Sequence, residues 1–339
     1  MQAAVVSSQC HTVRALRVGR DGSRFERSCP VPEPSAGEVS VRPLCVAVSR
    51  LDVEIARGLL GFDGVPGRSC VGIVESASGH EFAELVGARV AVSPLVICGR
   101  CDMCRMGAPL HCRSREILGM IGRDGCLSDA VVVPGSNAIS IAGKHDEDSC
   151  AFATSVGTAL HIARRVESGP RTMVTVLGDG HLGLLVAQVL LRTAPRVRVV
   201  GHYSEKLALC EKWGIKHRHA DDVGRRSDQD VVVDCTGSPD GLLLATDLAR
   251  PRGRIILPSL HRPEAFVPLR TQFSLAGLVL KEIDLVAVGI GSVQEGIALL
   301  ARREIDVLSL ISRRARLDDG AAILDAASQP GHITTLVSI

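Results

Sequence analysis

The amino-acid sequence predicts an α/β protein: a β-rich first part followed by a doubly wound parallel sheet. Three observations carry that prediction. Up to about residue 150, short β-branched runs are separated by Gly, Pro and Ser. Beyond it, strand-like and helix-like segments alternate. At the first alternation stands Gly178-x-Gly180-x-x-Gly183. A length of 339 residues with 46% hydrophobic content suits about two domains with sizeable cores.

In the first part, SVRPLCVAV (40–48), CVGIVES (70–76), ARVAVSPLV (88–96) and DAVVVP (129–134) read as strands of a partly open barrel or sandwich. Pro30, Pro32 and Pro34 mark an extended connector before them. Residues 151–168 read as a helix ending at Gly169-Pro170. Then come strand 172–177, helix 181–193, strand 196–200, helix 204–213, strand 230–235, helix 239–249 and strand 253–257. Strands alternating with helices of this length imply βαβ units and parallel pairing. Leu182, Leu185, Val186, Val189 and Leu190 give the helix at 181–193 one apolar face, as packing on a sheet requires. One more helix at 292–303 and a strand-like TTLVSI close the chain.

Composition removes several function classes. Thirty-nine basic and 37 acidic side chains leave a formal charge of +2, without the basic excess of a nucleic-acid protein. Six Phe, one Tyr and one Trp are too few for base stacking. The longest apolar run, Leu182 to Leu191, is interrupted by Gln188 and falls short of the ~18 residues of a membrane span. The first residues carry no apolar signal core. The expectation is a soluble cytoplasmic protein that acts on a small molecule and binds neither nucleic acid nor membrane.

The G-x-G-x-x-G lies between a predicted strand and a predicted helix, the context that a dinucleotide turn needs. Gly178 permits the tight turn, Gly180 lets the backbone approach a pyrophosphate, and Gly183 allows close helix–strand packing. The amides of His181, Leu182 and Gly183 would face the anion. NAD sites place an acid near the end of the second strand. Here that position falls on Gly201 or His202, neither acidic, while His202, Lys206 and Arg198 can meet a 2′-phosphate. The sequence therefore favours NADP(H) over NAD(H). The alternative for these side chains is a solvated loop and helix start.

Twelve cysteines are present, and four of them, Cys98, Cys101, Cys104 and Cys112, share one short segment. Two-residue gaps let successive thiolates converge on one ion, and the fourth closes a tetrahedral site. Four sulfurs without an open position make one structural Zn²⁺. An iron–sulfur cluster or a redox dithiol are the alternatives. The other eight read as reduced, mostly buried thiols.

A four-cysteine segment after a β-rich start and before this turn resembles the zinc-containing medium-chain alcohol dehydrogenase superfamily. GARVAVSPLVICGRCDMCRMGAPLHC is similar to its lobe, VTVLGDGHLGLLVAQ to its cofactor turn, and VVVDCTGSPDGLLLATDLARPRGRII to the stretch beside the nicotinamide, which contains Thr236. The resemblance implies a GroES-like catalytic domain over residues 1–150 with its zinc lobe at 98–112, a Rossmann domain over 151–286, and a return to the catalytic domain over 287–339. It also implies a homodimer or homotetramer, and an active site in the cleft between the domains.

The superfamily's catalytic zinc is held by a Cys before a hydroxyl and an Asp, by a His often followed by Glu, and by a third ligand ahead of the Rossmann domain. On this chain those segments fall on Ser49-Arg50-Leu51-Asp52, on Gly67-Arg68-Ser69 and near Thr154. Ser49 replaces the Cys, Leu51 the relay hydroxyl, Arg68 the His and Ser69 the Glu. Gly79-His80-Glu81 spells a similar motif but lies too close to Gly87, and reads as a surface turn. The chain is thus expected to be a divergent member that uses Ser49, Asp52 and Arg68 to reduce a carbonyl or an activated double bond with NAD(P)H and no catalytic zinc. A non-catalytic NADP(H)-binding sensor or interaction module is the alternative. A metal site rebuilt from Cys45, Asp52, Cys70 or His161 is a third.

Overall fold

The computed structural model describes residues 11–339 apart from 142, 144, 145, 168, 195 and 261–275. Its contacts divide the chain into two units. The first runs to Ala151 and takes back Arg314–Asp325 and Leu336–Ile339; the second holds Phe152–Arg313 and Ala326–Thr335.

The first unit is β-rich, as its short runs require. A hairpin pairs His11–Gly19 with Gly22–Val31. Glu38–Val48 is the hub of the main sheet: it pairs antiparallel with Cys70–Ala77 and with Val131–Pro134, and its neighbour along the sheet is Thr334–Ser338. Arg89–Val92 and Ala138–Ser140 extend the sheet on the Cys70–Ala77 side. Val39, Val41, Val46, Val48, Val71, Val74, Val90 and Val133 are buried, so β-branched side chains form much of its core. A small sheet of Leu95–Val96, Glu116–Leu118 and Gly122–Arg123 carries the cysteine segment.

The second unit is a parallel six-stranded sheet in the order Lys216–His219, Arg196–Gly201, Met173–Leu177, Gln229–Asp234, Ala249–Leu257 and Asp284–Ala287. The order reverses between Met173–Leu177 and Gln229–Asp234. In such sheets the crevice beyond the carboxyl ends at that reversal is where ligands bind. Helices His181–Leu191, Ser204–Lys212 and Pro239–Leu248 connect the strands. His181–Leu191 is buried almost all round, with Leu184, Leu185 and Leu190 fully covered.

Two readings of the sequence change here. The return to the first unit begins at Arg314 rather than at residue 287, and residues 326–335 also stay with the second unit. Helix Val293–Ala301 holds the chain there by packing on helix Ala153–Val166. A Cβ on Gly157 would overlap the Ser292 carbonyl oxygen, and one on Gly296 that of Ala153, so the two backbones touch. In addition, Lys216–His219 and Asp284–Ala287 are sheet-edge strands that the sequence pattern does not announce. No helix among the described residues is long and apolar enough to cross a membrane.

Candidate functional site

At the carboxyl end of Met173–Leu177 the chain turns through Gly178, whose φ is +105°, a value that suits glycine. A Cβ on Gly183 would overlap the Gly178 carbonyl oxygen, whereas one on Gly180 would meet nothing within 4 Å. The turn is therefore tight at both ends and open in the middle. Gly180 caps helix His181–Leu191 with no side-chain hydrogen bond, which leaves first-turn amides for an anion. These features fit a dinucleotide pyrophosphate.

His181 belongs to the turn through its backbone, while its ring is held inside the unit. Nδ1 lies 2.6 Å from Thr334 Oγ1, Nε2 lies 2.7 Å from Ser155 Oγ, and the ring stacks on Phe152 at 5.4 Å. Leu182 is half-buried. Thr236, at the end of the neighbouring strand, turns its hydroxyl onto Asp234 Oδ1 at 2.6 Å. The Gly178 turn touches this stretch, since a Cβ on Gly178 would sit 3.2 Å from the Cys235 carbonyl carbon.

The end of the second strand holds a residue that sequence reasoning passed over. Asp179, between the first two glycines, reaches across to it: Oδ2 accepts the His202 and Tyr203 amides, each at 2.8 Å. The carboxylate fills the space beside Gly201, where a Cβ would overlap it. Lys206 Nζ lies 3.9 Å from Asp179 Oδ1 and 4.2 Å from the centroid of the Tyr203 ring. Asp179 and Lys206 are each 6% exposed.

In the structure, Lys206 and Arg198, the side chains expected to meet a 2′-phosphate, have partners within the unit. Lys206 is buried against Asp179 and Tyr203. Arg198 donates from Nε to Thr175 Oγ1 at 2.8 Å, three residues and about 10 Å before Gly201 along the strand. His202 is exposed, edge-on to His219 at 5.8 Å, and its carbonyl lies 2.9 Å from His219 Nε2.

In the first unit, Ser49 caps helix Arg50–Ala56 in a reciprocal capping box with Asp52. Asp52 Oδ2 accepts the Ser49 amide at 2.9 Å and its hydroxyl at 3.1 Å. Asp52 Oδ1 faces Arg68 Nε at 3.4 Å, with side-chain exposures of 1% and 13%. Both of those atoms are buried without a formed hydrogen bond, so the pair is held by charge. Arg68 donates no hydrogen bond among the described residues. Ser69 is tied to the Ala151 carbonyl at 2.7 Å. Thr154 is buried in helix Ala153–Val166. His80 and Glu81 are exposed.

The four cysteine sulfurs lie within 4.8 Å of one another. Sγ–Sγ separations are 3.5 Å for Cys101–Cys104 and Cys98–Cys112, and 4.0 Å for Cys101–Cys112. The edge of a zinc–thiolate tetrahedron with 2.3 Å bonds is about 3.8 Å, so the set fits that ion. The amides of Arg113 and Cys104 pull the Cys101 thiol down to about 6, whereas desolvation pushes the Cys104 thiol up to about 12. Among the described residues no other group of three or more His, Cys, Asp or Glu converges. Cys45, Asp52, Cys70 and His161 therefore do not rebuild a metal centre; burial pushes the Cys45 thiol up to about 12.

Residues 35–143 match the alcohol dehydrogenase GroES-like domain family. The L-idonate 5-dehydrogenase of Vitis vinifera is 29% identical over 285 residues, covering 75% of this chain and 74% of its own. The sorbitol dehydrogenase of Arabidopsis thaliana is 28% identical over 280 residues, 75% of each chain. Residues 35–143 thus belong to the alcohol dehydrogenase GroES-like domain family, and over three quarters of its length the chain is similar to dehydrogenases. Solved structures share the fold. A structure described as a short chain alcohol dehydrogenase from Escherichia coli CFT073, complexed with NADH, superposes with a TM-score of 0.85 at 22% identity, over 97% of this chain and 100% of the other. A Sinorhizobium meliloti 1021 protein bound to NADP gives 0.82 at 24%, over 97% and 99%. The two units display a GroES-like domain and a Rossmann-like parallel sheet.

Proposed function

We propose that the protein is an NAD(P)H-dependent oxidoreductase that moves hydride to or from a small anionic substrate without a catalytic zinc. The observation that supports it is Arg68: a guanidinium almost enclosed, paired by charge to Asp52, with no hydrogen bond donated among the described residues. Ser49, Arg68, Ser69 and Thr154 offer no thiolate, imidazole or carboxylate, and a fixed cation at Arg68 repels a divalent ion. When bound at the Gly178–Gly183 turn, the reduced nicotinamide supplies hydride. Arg68 then serves as the group that holds a substrate carboxylate or a developing oxyanion. Asp52 orients the guanidinium, and Ser49 fixes Asp52. A carbonyl or an activated double bond can accept the hydride, and relatives named for idonate and sorbitol favour the carbonyl–alcohol pair. The four cysteines hold one structural zinc. The exposed Val279 and Leu280, ahead of the edge strand Asp284–Ala287, and Leu285 within it form the contact of a homo-oligomer.

The test is NAD(P)H oxidation against keto acids, ketoses, enones and quinones, with Arg68→Ala beside the wild type. Turnover that falls at least a hundredfold in a folded Arg68→Ala supports the reading; unchanged turnover removes Arg68 from it. A second reading, a non-catalytic dinucleotide-binding module, is favoured by the way Asp52 and Arg68 neutralise each other. Cofactor binding with no turnover on any of these substrates selects it.

A further inference from the structure

The geometry points to Asp179 as the residue that sets cofactor choice, in favour of the unphosphorylated dinucleotide NAD(H). The assignment rests on the dinucleotide reading above and adds which nucleotide the turn accepts. Dinucleotide sites distinguish the two cofactors where the second strand ends, because the adenosine ribose lies there. An acid at that point accepts the ribose hydroxyls and repels a 2′-phosphate. In this chain the strand end offers Gly201 and His202, and the sequence looks acid-free there.

The structure supplies the missing carboxylate from another part of the chain. Asp179 crosses from the glycine turn, its Oδ2 takes the His202 and Tyr203 amides at 2.8 Å each, and its carboxylate lies where the side chain of residue 201 would be. Gly201 is thus the other half of the device: any Cβ there would push the carboxylate out. The same contacts work against a phosphate in a second way. The two amides that would otherwise donate to it already serve Asp179. Lys206, the cation nearest that carboxylate, is 6% exposed, and Tyr203 covers its ammonium. Of the side chains expected to meet a 2′-phosphate, only His202 is exposed at the strand end.

Titration of the full-length protein with NADH and with NADPH, read by nicotinamide fluorescence, tests this. The wild type is expected to bind NADH at least tenfold more tightly. Asp179→Asn keeps an oxygen that can accept both amides and removes the charge. It is expected to cut the NADH preference at least fivefold, mainly by tighter NADPH binding. Affinity for reduced nicotinamide mononucleotide, which lacks the adenosine, should stay within twofold of the wild type and so reports an intact turn. Tighter binding of NADPH than NADH by the wild type overturns the assignment whatever the variant does. An unchanged ratio in Asp179→Asn also overturns it. If the wild type binds neither cofactor, the dinucleotide reading itself fails, and the assignment with it.

Discussion

Each unit buries one aspartate beside one cation, and the two arrangements are nearly alike. Asp52 in the first unit and Asp179 in the second each accept two hydrogen bonds at Oδ2 and turn Oδ1 toward a cation, Arg68 at 3.4 Å and Lys206 at 3.9 Å. They differ in reach. Asp52 bonds Ser49, three residues away, and closes the first turn of its own helix. Asp179 bonds residues 202 and 203 and ties a turn to another strand. A local pair sets the shape of one element. A long-range pair sets the distance between two, and through its hydrogen bonds Asp179 fixes how far the glycine turn stands from the second strand.

The cysteine cluster is the control for this comparison, since it marks what a metal would need and the Asp52 region lacks. Cys112→Ser, at the fully buried ligand, is expected to abolish zinc binding and cost on the order of 5 kcal/mol in urea unfolding. The wild type should carry one zinc per chain by elemental analysis; two would break the comparison by restoring a metal near Arg68. Arg68→Met comes next, at about 3 kcal/mol, because it strands the Asp52 carboxylate in the interior. The double variant Arg68→Met, Asp52→Leu should recover most of that loss, and a loss equal to the single variant's would show that the pair is not the cause.

Gly201→Ala sharpens the other half. It displaces Asp179 and is expected to cost about 2 kcal/mol, with the NADH preference lost in parallel. A melting temperature unchanged from the wild type would mean that the carboxylate does not need that space. Ser49→Ala is the smallest, at about 1 kcal/mol for a helix cap. A guanidinium chloride midpoint shift no larger than experimental scatter would reduce the capping box to a contact without consequence.

The sequence was legible wherever the chemistry is local. The glycine turn, the cysteine spacing and the Ser49–Asp52 step all lie within a few residues, and the helices from 153 to 248 follow their apolar periodicity. What escaped depends on pairing across the sheet. KHRH at 216–219 has no strand pattern of its own and becomes a strand because Arg196–Gly201 offers an open edge. The helix at 293–301 looks like any amphipathic helix, and only the glycine contacts with residues 153–157 tell which unit it joins. Asp179 carries no signal of its own in the sequence because its partners lie more than twenty residues downstream. Lys206 looks available to a 2′-phosphate in the sequence because its own partner, Asp179, lies as far upstream.

The imidazole of His181 has a consequence for protein engineering. The ring stacks on Phe152, where the chain first enters the second unit, and bonds Thr334, one residue before the unit's last, Thr335. Entry, exit and dinucleotide helix are thus riveted at one point. Grafting this unit onto a different partner by cutting at those two crossings would loosen the rivet, so a working chimaera must carry Phe152, Ser155 and Thr334 along with the glycine loop.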